Sequence, residues 1–183
     1  MDLLGIREFA RKDVHCSLHE TSKDTSKVNV EYMTRCQGKV INFDVVKTNY
    51  CNSIGLSETF AKSVDAIANG KGGKIYFIEF KNGGFSSPEI LKKVYDSMLI
   101  FNSLTGKQIN FCRENIIFVL VYNEKEKMIN PRDKIAYHRA RHGKSNFLPF
   151  GLSGMLGFAF LDVEIIEKSK FEEDEFFQRL EFL

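Results

Sequence analysis

The sequence predicts an α/β domain: a central mixed β-sheet flanked by helices. Three observations predict it. Apolar, strand-like segments at 39–47, 61–70, 74–81 and 115–123 are interrupted by a long amphipathic helical segment at 86–106. The second and third strands are joined by a glycine-rich reversal, NGKGGK, which pairs them antiparallel. The last strand, NIIFVLVYN, is apolar on both faces, as a strand covered on both sides must be.

Taken in order, residues 1–12 space Leu3, Leu4, Ile6 and Phe9 in a rough helical pattern, and the polar stretch 19–27 reads as a loop or a helix start. Residues 39–47 form the first strand, 49–58 a connection, and 61–70 the second strand. The helix over 86–106 has Ser87 as cap, Pro88 at its first position, Glu89 in its first turn and Gly106 as its stop. Its apolar face is Ile90, Leu91, Val94, Met98, Leu99 and Phe101. Residues 130–151 are basic and less regular. A further strand is expected over 157–166, and a terminal helix in FEEDEFFQRLEFL closes the chain.

At 183 residues the chain suits one domain, 1–183, with its core over about 38–123 and a strand–helix extension over 150–183. A net charge of +2 neither announces nor excludes a nucleic-acid partner, because a local patch matters more than the sum. Cys16, Cys36, Cys51 and Cys112 show no CxxC pairing, and the first residues carry no signal-like apolar run. Reduced thiols and a cytoplasmic location are therefore expected. No run approaches the roughly 18 apolar residues of a membrane span, so no membrane partner is expected.

The strand KIYFIEFK contains a contradiction. Side chains alternate, so Ile75, Phe77, Glu79 and Lys81 share one face, and Tyr76, Ile78 and Phe80 share the other. A carboxylate on a buried face costs several kcal/mol unless it is paired or binds a metal. A Glu79–Lys81 ion pair is the purely structural solution. Asp65 changes the balance, because an antiparallel hairpin folds it toward Glu79, and two carboxylates beside a lysine invite a divalent cation.

Asp65, Glu79-Phe80-Lys81, the apolar hairpin that carries them and the helix that follows resemble the PD-(D/E)xK nuclease superfamily over residues 38–123, with Val64 where that family often has proline. The resemblance implies a restriction-endonuclease-like core and a Mg²⁺- or Mn²⁺-dependent hydrolysis of phosphodiester bonds, in DNA before RNA. It implies that Asp65, Glu79 and the Phe80 carbonyl hold the metal, with Asp65, Glu79 and Lys81 as the catalytic set. Lys81 would orient or deprotonate the attacking water, or stabilise the charge developing on the phosphate. An upstream glutamate (Glu20, Glu31 or Glu58) and helix residues Lys92, Lys93 or Asp96 could join the site, although each also suits a solvated surface. The resemblance further suggests a role in restriction, phage defence, repair or mobile-element biology, and a possible homodimer. An RNA-cleaving toxin, or a non-catalytic nucleic-acid-binding or regulatory module on the same fold, remain alternatives.

For nucleic-acid contact the candidates are Lys71 and Lys74 in the glycine turn, and Arg139, Arg141 and Lys144 in YHRARHGK. The GKGGK turn lacks the Ser or Thr of a phosphate-binding P-loop. His15 and His19, and His138 and His142, are spaced to share helix faces, with Cys16 nearby. No second set of ligands completes a zinc site.

Overall fold

The computed structural model describes residues 1–25, 30–143, 145–172 and 175–183. The chain begins with two 3₁₀ turns, Leu3–Gly5 and Lys12–Val14, in place of the expected helical stretch. Then follow β1 (His15–Ser17), the single turn α1 (Leu18–Thr21), a small ribbon of β2 (Lys23–Asp24) with β3 (Glu31–Tyr32), and β4 (Lys39–Asn42). Helix α2 (Phe43–Ser53) leads to the hairpin β5 (Ala66–Gly70) and β6 (Lys74–Lys81). Helices α3 (Ser87–Thr105) and α4 (Ile109–Asn115) cross to β7 (Ile116–Tyr122). Helix α5 (Pro131–Arg141), β8 (Asp162–Glu167), the short turns α6 (Lys168–Phe171) and α7 (Phe176–Arg179), and β9 (Leu180–Glu181) complete the order.

Among the described residues, seven strands form one mixed sheet in the order β1-β4-β5-β6-β7-β8, with β9 joined to β5. Pairing is antiparallel from β1 to β6 and parallel from β6 through β8. The α/β class and the antiparallel glycine-turn hairpin are as the sequence predicts, and every residue of β7 is buried. Helix α3 is capped by Ser86 and not by the expected Ser87: the Ser86 hydroxyl accepts from the Glu89 amide, the Ser87 hydroxyl donates to the Phe150 carbonyl, and the helix stops at Gly106 in the left-handed region (φ 67°).

The period-two pattern of β6 divides the core. Ile75 and Phe77 join Phe43, Val46, Ile90, Val94, Phe101 and Phe160 on one face, where the Phe77 ring meets Phe101 edge-on at 5.5 Å. Tyr76, Ile78 and Phe80 join Phe171, Phe176 and Leu180 on the other.

Further expectations are corrected. Residues 39–47 are not one strand: the Asn42 side chain accepts from the Val45 amide, so strand becomes helix at Phe43, and α2 runs through the first half of the supposed connection. The strand expected over 61–70 starts only at Ala66, because the Val64 amide turns away to donate to Ser97 Oγ at 2.8 Å. The irregular basic stretch contains α5, capped by Asn130 with Pro131 in its first turn. The terminal helix is two single turns followed by a strand, and the Leu183 amide donates to the Lys39 carbonyl at 2.9 Å. The strand expected over 157–166 is β8, starting at Asp162. All four cysteines are free thiols, and no helix of the described residues is long and apolar enough to cross a membrane.

Candidate functional site

Register brings the carboxylates together. Ala66 lies opposite Ile78, so Asp65, one residue earlier, lies opposite Glu79 where β5 leaves the sheet. The Asp65 amide donates to the Ile78 carbonyl at 3.1 Å, and its own carbonyl accepts from the Phe43 amide at 3.1 Å. The Asp65 carboxylate is then fixed from behind, because the Phe80 amide donates to Oδ2 at 2.6 Å. Two backbone ties and one side-chain tie thus aim Oδ1 across the end of β6.

Helix α3 contributes the third member. Lys93 Nζ donates to Glu79 Oε1 at 2.7 Å and to Asp65 Oδ1 at 3.4 Å, so both acids converge on one ammonium. Lys81 Nζ lies 3.5 Å from the same Glu79 oxygen and is hydrogen-bonded to Glu89 in the first turn of α3. The Glu79 side chain is 0 % exposed and its Oε2 has no hydrogen-bond partner, whereas Asp65 keeps 15 % and Lys81 14 % exposure.

Electrostatics follow from burial. Desolvation raises the Glu79 pKa above the usual carboxylate range, and the neighbouring Asp65 charge pushes the same way. Desolvation also raises Asp65, against the pull of Lys93 and the Phe80 amide. Burial alone would lower Lys93, but Asp65 and Glu79 outweigh it and its pKa is raised. Asp44, in the first turn of α2, adds to the negative field felt by both Asp65 and Lys93, and its Oδ1 accepts from Ser63 Oγ at 2.5 Å.

These groups open into a cleft of about 280 Å³ lined by Asp65, Lys81, Lys93, Asp24, Asn82 and Met33. Buried Asn82 organises its wall: Nδ2 donates to Asp24 Oδ2 at 3.0 Å and to Glu31 Oε2 at 2.6 Å, and Oδ1 accepts from Asn123 at 2.9 Å. No family model, curated protein or solved structure matches the chain.

The donor set suits a hard cation. Two carboxylates and the Phe80 carbonyl are oxygen ligands of the kind Mg²⁺ and Mn²⁺ take, with water filling the other positions. The unpartnered Glu79 Oε2 is a buried acceptor that an ion would satisfy. Among the described residues, no group of three or more His, Cys, Asp or Glu is placed around one point. The fit is that of a two-carboxylate site.

The structure brings Asp65, Glu79 and Lys81 together, with Phe80 supplying the amide that locks Asp65. Of the upstream glutamates, Glu31 reaches the cleft wall through Asn82. Glu58 offers only its carbonyl, to Lys47, and Glu20 is exposed on α1. Lys92 and Asp96 pair with each other at 2.8 Å.

The expected nucleic-acid residues lie elsewhere. Lys71 and Lys74 sit at the hairpin turn, and Lys74 opens the strand that Lys81 ends, roughly 23 Å away at the rise of an extended strand. The turn is therefore not beside the site, and the Lys74 ammonium donates to the Glu114 carbonyl at 3.0 Å. Helix α5 runs antiparallel to β8, from Lys134 at Glu167 to Arg141 at Asp162, which puts Arg139 and Arg141 toward the same far end. Arg141 forks onto both Asp162 oxygens at 2.9 and 2.8 Å. Lys144 lies outside the described residues.

The histidine pairs build no zinc site among the described residues: a ring nitrogen of His15 is 2.7 Å from the Phe9 carbonyl, and one of His19 is 2.7 Å from the Thr34 carbonyl. Two site residues went undervalued. Lys93 follows Ile90 by three and precedes Ser97 by four, a spacing that puts it on the inner stripe of α3. Asp44 lies in a segment of strand-like composition, where the Asn42 cap is the one mark of the helix that carries it.

Proposed function

We propose that the chain is a divalent-metal-dependent nuclease on a restriction-endonuclease-like core, hydrolysing phosphodiester bonds in DNA or, as the runner-up, RNA. One observation carries this reading: Asp65 and Glu79 converge on one cationic point at the end of a buried sheet, and Glu79 Oε2 lacks a protein partner. Asp65, Glu79 and the Phe80 carbonyl would hold the ion. Such an ion supplies charge neutralisation at phosphorus and an acidified water for in-line attack.

The chain's own side chains divide the remaining work. The Phe80 amide keeps Asp65 ionisable and aimed. Lys81, at the cleft wall with Glu89 holding its ammonium, is placed to orient a nucleophile or a phosphate oxygen. Lys93 competes with an ion for the same two oxygens.

That competition also favours a second reading, a closed structural ion cluster in a non-catalytic nucleic-acid-binding module. Incubation of plasmid, single-stranded DNA and RNA with Mg²⁺, Mn²⁺ or EDTA separates the two. Metal-dependent cleavage lost in Asp65→Asn and Lys81→Ala is expected. No cleavage of any form leaves the module reading, and cleavage undiminished in Lys81→Ala removes that lysine from the mechanism.

A further inference from the structure

We propose that the trough running from the carboxylates past Met33 to Tyr32 and Lys168 is the track for a single-stranded segment of nucleic acid. This rests on the nuclease reading and extends it to the form of the substrate.

The trough adjoins the site at a shared wall. A second cavity of about 550 Å³ is lined by His19, Tyr32, Arg35, Asn123, Lys125 and Lys168, and Met33 forms a wall of both cavities. The Asn123–Asn82 hydrogen bond ties the two together, and the Asn123 amide donates to the Lys81 carbonyl at 2.8 Å. Together they follow the carboxyl ends of the three parallel strands, the edge where open α/β sheets bind ligands. Each of these strand ends supplies a cation: Lys81 ends β6, Lys125 follows β7, and Lys168 follows β8.

Charge and shape name the occupant. Among the described residues, Arg35, Lys125 and Lys168 make no ion pair with a carboxylate, whereas Lys134, Arg141, Lys170 and Arg179 all do. Two acids also line the trough: Glu172 spends Oε1 on the Thr34 hydroxyl and the Arg35 amide, each at 2.6 Å, and Glu124 is hydrogen-bonded to Ser169. The Tyr32 and His19 rings stack at 3.9 Å and 17°, and the hydrogen bond between His19 and the Thr34 carbonyl pins the stack at the wall. Uncompensated cations beside a fixed aromatic platform are what a strand with unstacked bases requires. A duplex turns its bases inward and gives such a platform nothing to bind.

Fluorescence anisotropy in EDTA, using a labelled oligonucleotide alone and annealed to its complement, tests the track apart from catalysis. The single strand is expected to bind more tightly than the duplex. Reversing Arg35, Lys125 and Lys168 together to Glu should weaken it at least roughly tenfold and flatten its salt dependence by about 2 in the log–log slope. Tyr32→Ala should weaken it roughly 5- to 150-fold while Tyr32→Phe does not. Lys71→Glu with Arg139→Glu, at the far end of the sheet, should leave binding unchanged, and circular dichroism checks that each variant is folded. Duplex preferred over single strand, no binding of a single strand, or loss only in the far-end variant would each overturn the proposal. Intact groove-dependent binding without metal-dependent cleavage would defeat the nuclease reading and leave the track standing. Cleavage with binding indifferent to the groove variants would do the reverse.

Discussion

Glu79 is where the stability and the chemistry of this chain oppose each other. Its side chain is wholly buried, one oxygen is unpartnered, and Asp65 repels it. Lys93 holds the two acids in place, so Lys93→Met should destabilise the metal-free protein by about 3–5 kcal/mol in urea melts, the cost of stranding a buried charge. Glu79→Gln removes the repulsion instead and should cost far less. Lys93→Met should also bind Mn²⁺ more tightly by electron paramagnetic titration, because the ammonium that reaches both Asp65 and Glu79 is gone. The pH dependence has a definite sign. Both carboxylate pKa values are raised on folding, so the folded state holds more protons above the ordinary carboxylate range, and stability from this pair falls as pH rises. Thermal melts of the metal-free protein should show that fall, the Asp65→Asn/Glu79→Gln protein should flatten it, and Mg²⁺ should oppose it most at high pH. From sequence, Glu79 and Lys81 were legible because they violate the apolar pattern of their strand. Lys93 was not, because a lysine on a helix is ordinarily solvated and only its three-dimensional neighbours make it a buried cation.

At the scale of elements, legibility followed periodicity. Strands β6 and β7 and helix α3 carry long, unbroken patterns and were visible with their turn and stop signals. The segment VINFDVVK was ambiguous, since Val40, Phe43 and Val46 satisfy a helical spacing as well as a strand-like composition, and only the Asn42 cap decides between them. Asn42→Ala should therefore cost about 1 kcal/mol in a urea melt, and Asn42→Asp should recover most of it. The same substitution should loosen Asp44, whose first-turn position depends on that cap. Helix α5 escaped detection because no residue in it is buried and it has no apolar stripe to read, leaving the Asn130–Pro131 start as its one signal. The last segment failed in the opposite way: its apolar residues suggest a helix, but Phe171, Phe176 and Leu180 share no helical stripe and are buried from two separate turns and a strand.

At the scale of the whole molecule, covering both faces of the sheet leaves its end as the place for chemistry. The second face is closed by the C-terminal segment, where Phe171 meets Phe80 edge-on at 5.7 Å and Phe176 meets Tyr76 at 5.3 Å. Arg179 anchors that closure. Its guanidinium forks onto both oxygens of buried Glu164 at 2.7 Å and lies over the rings of Tyr76 and Phe176. This ion pair sits on the face opposite Glu79, so it is separable from the site by mutation. Arg179→Ala leaves Glu164 buried without its bidentate partner and should cost about 3–5 kcal/mol. Removing both charges, as Arg179→Met with Glu164→Leu, should return most of that loss, because an apolar pair of similar volume carries no desolvation penalty. Calorimetric titration of Mn²⁺ into the double variant should give the wild-type affinity, since Asp65, Glu79 and the Phe80 amide remain untouched. A lost affinity in the stable double variant would mean that the two faces of the sheet are coupled through β6, and that the site depends on how the C-terminal segment closes the fold.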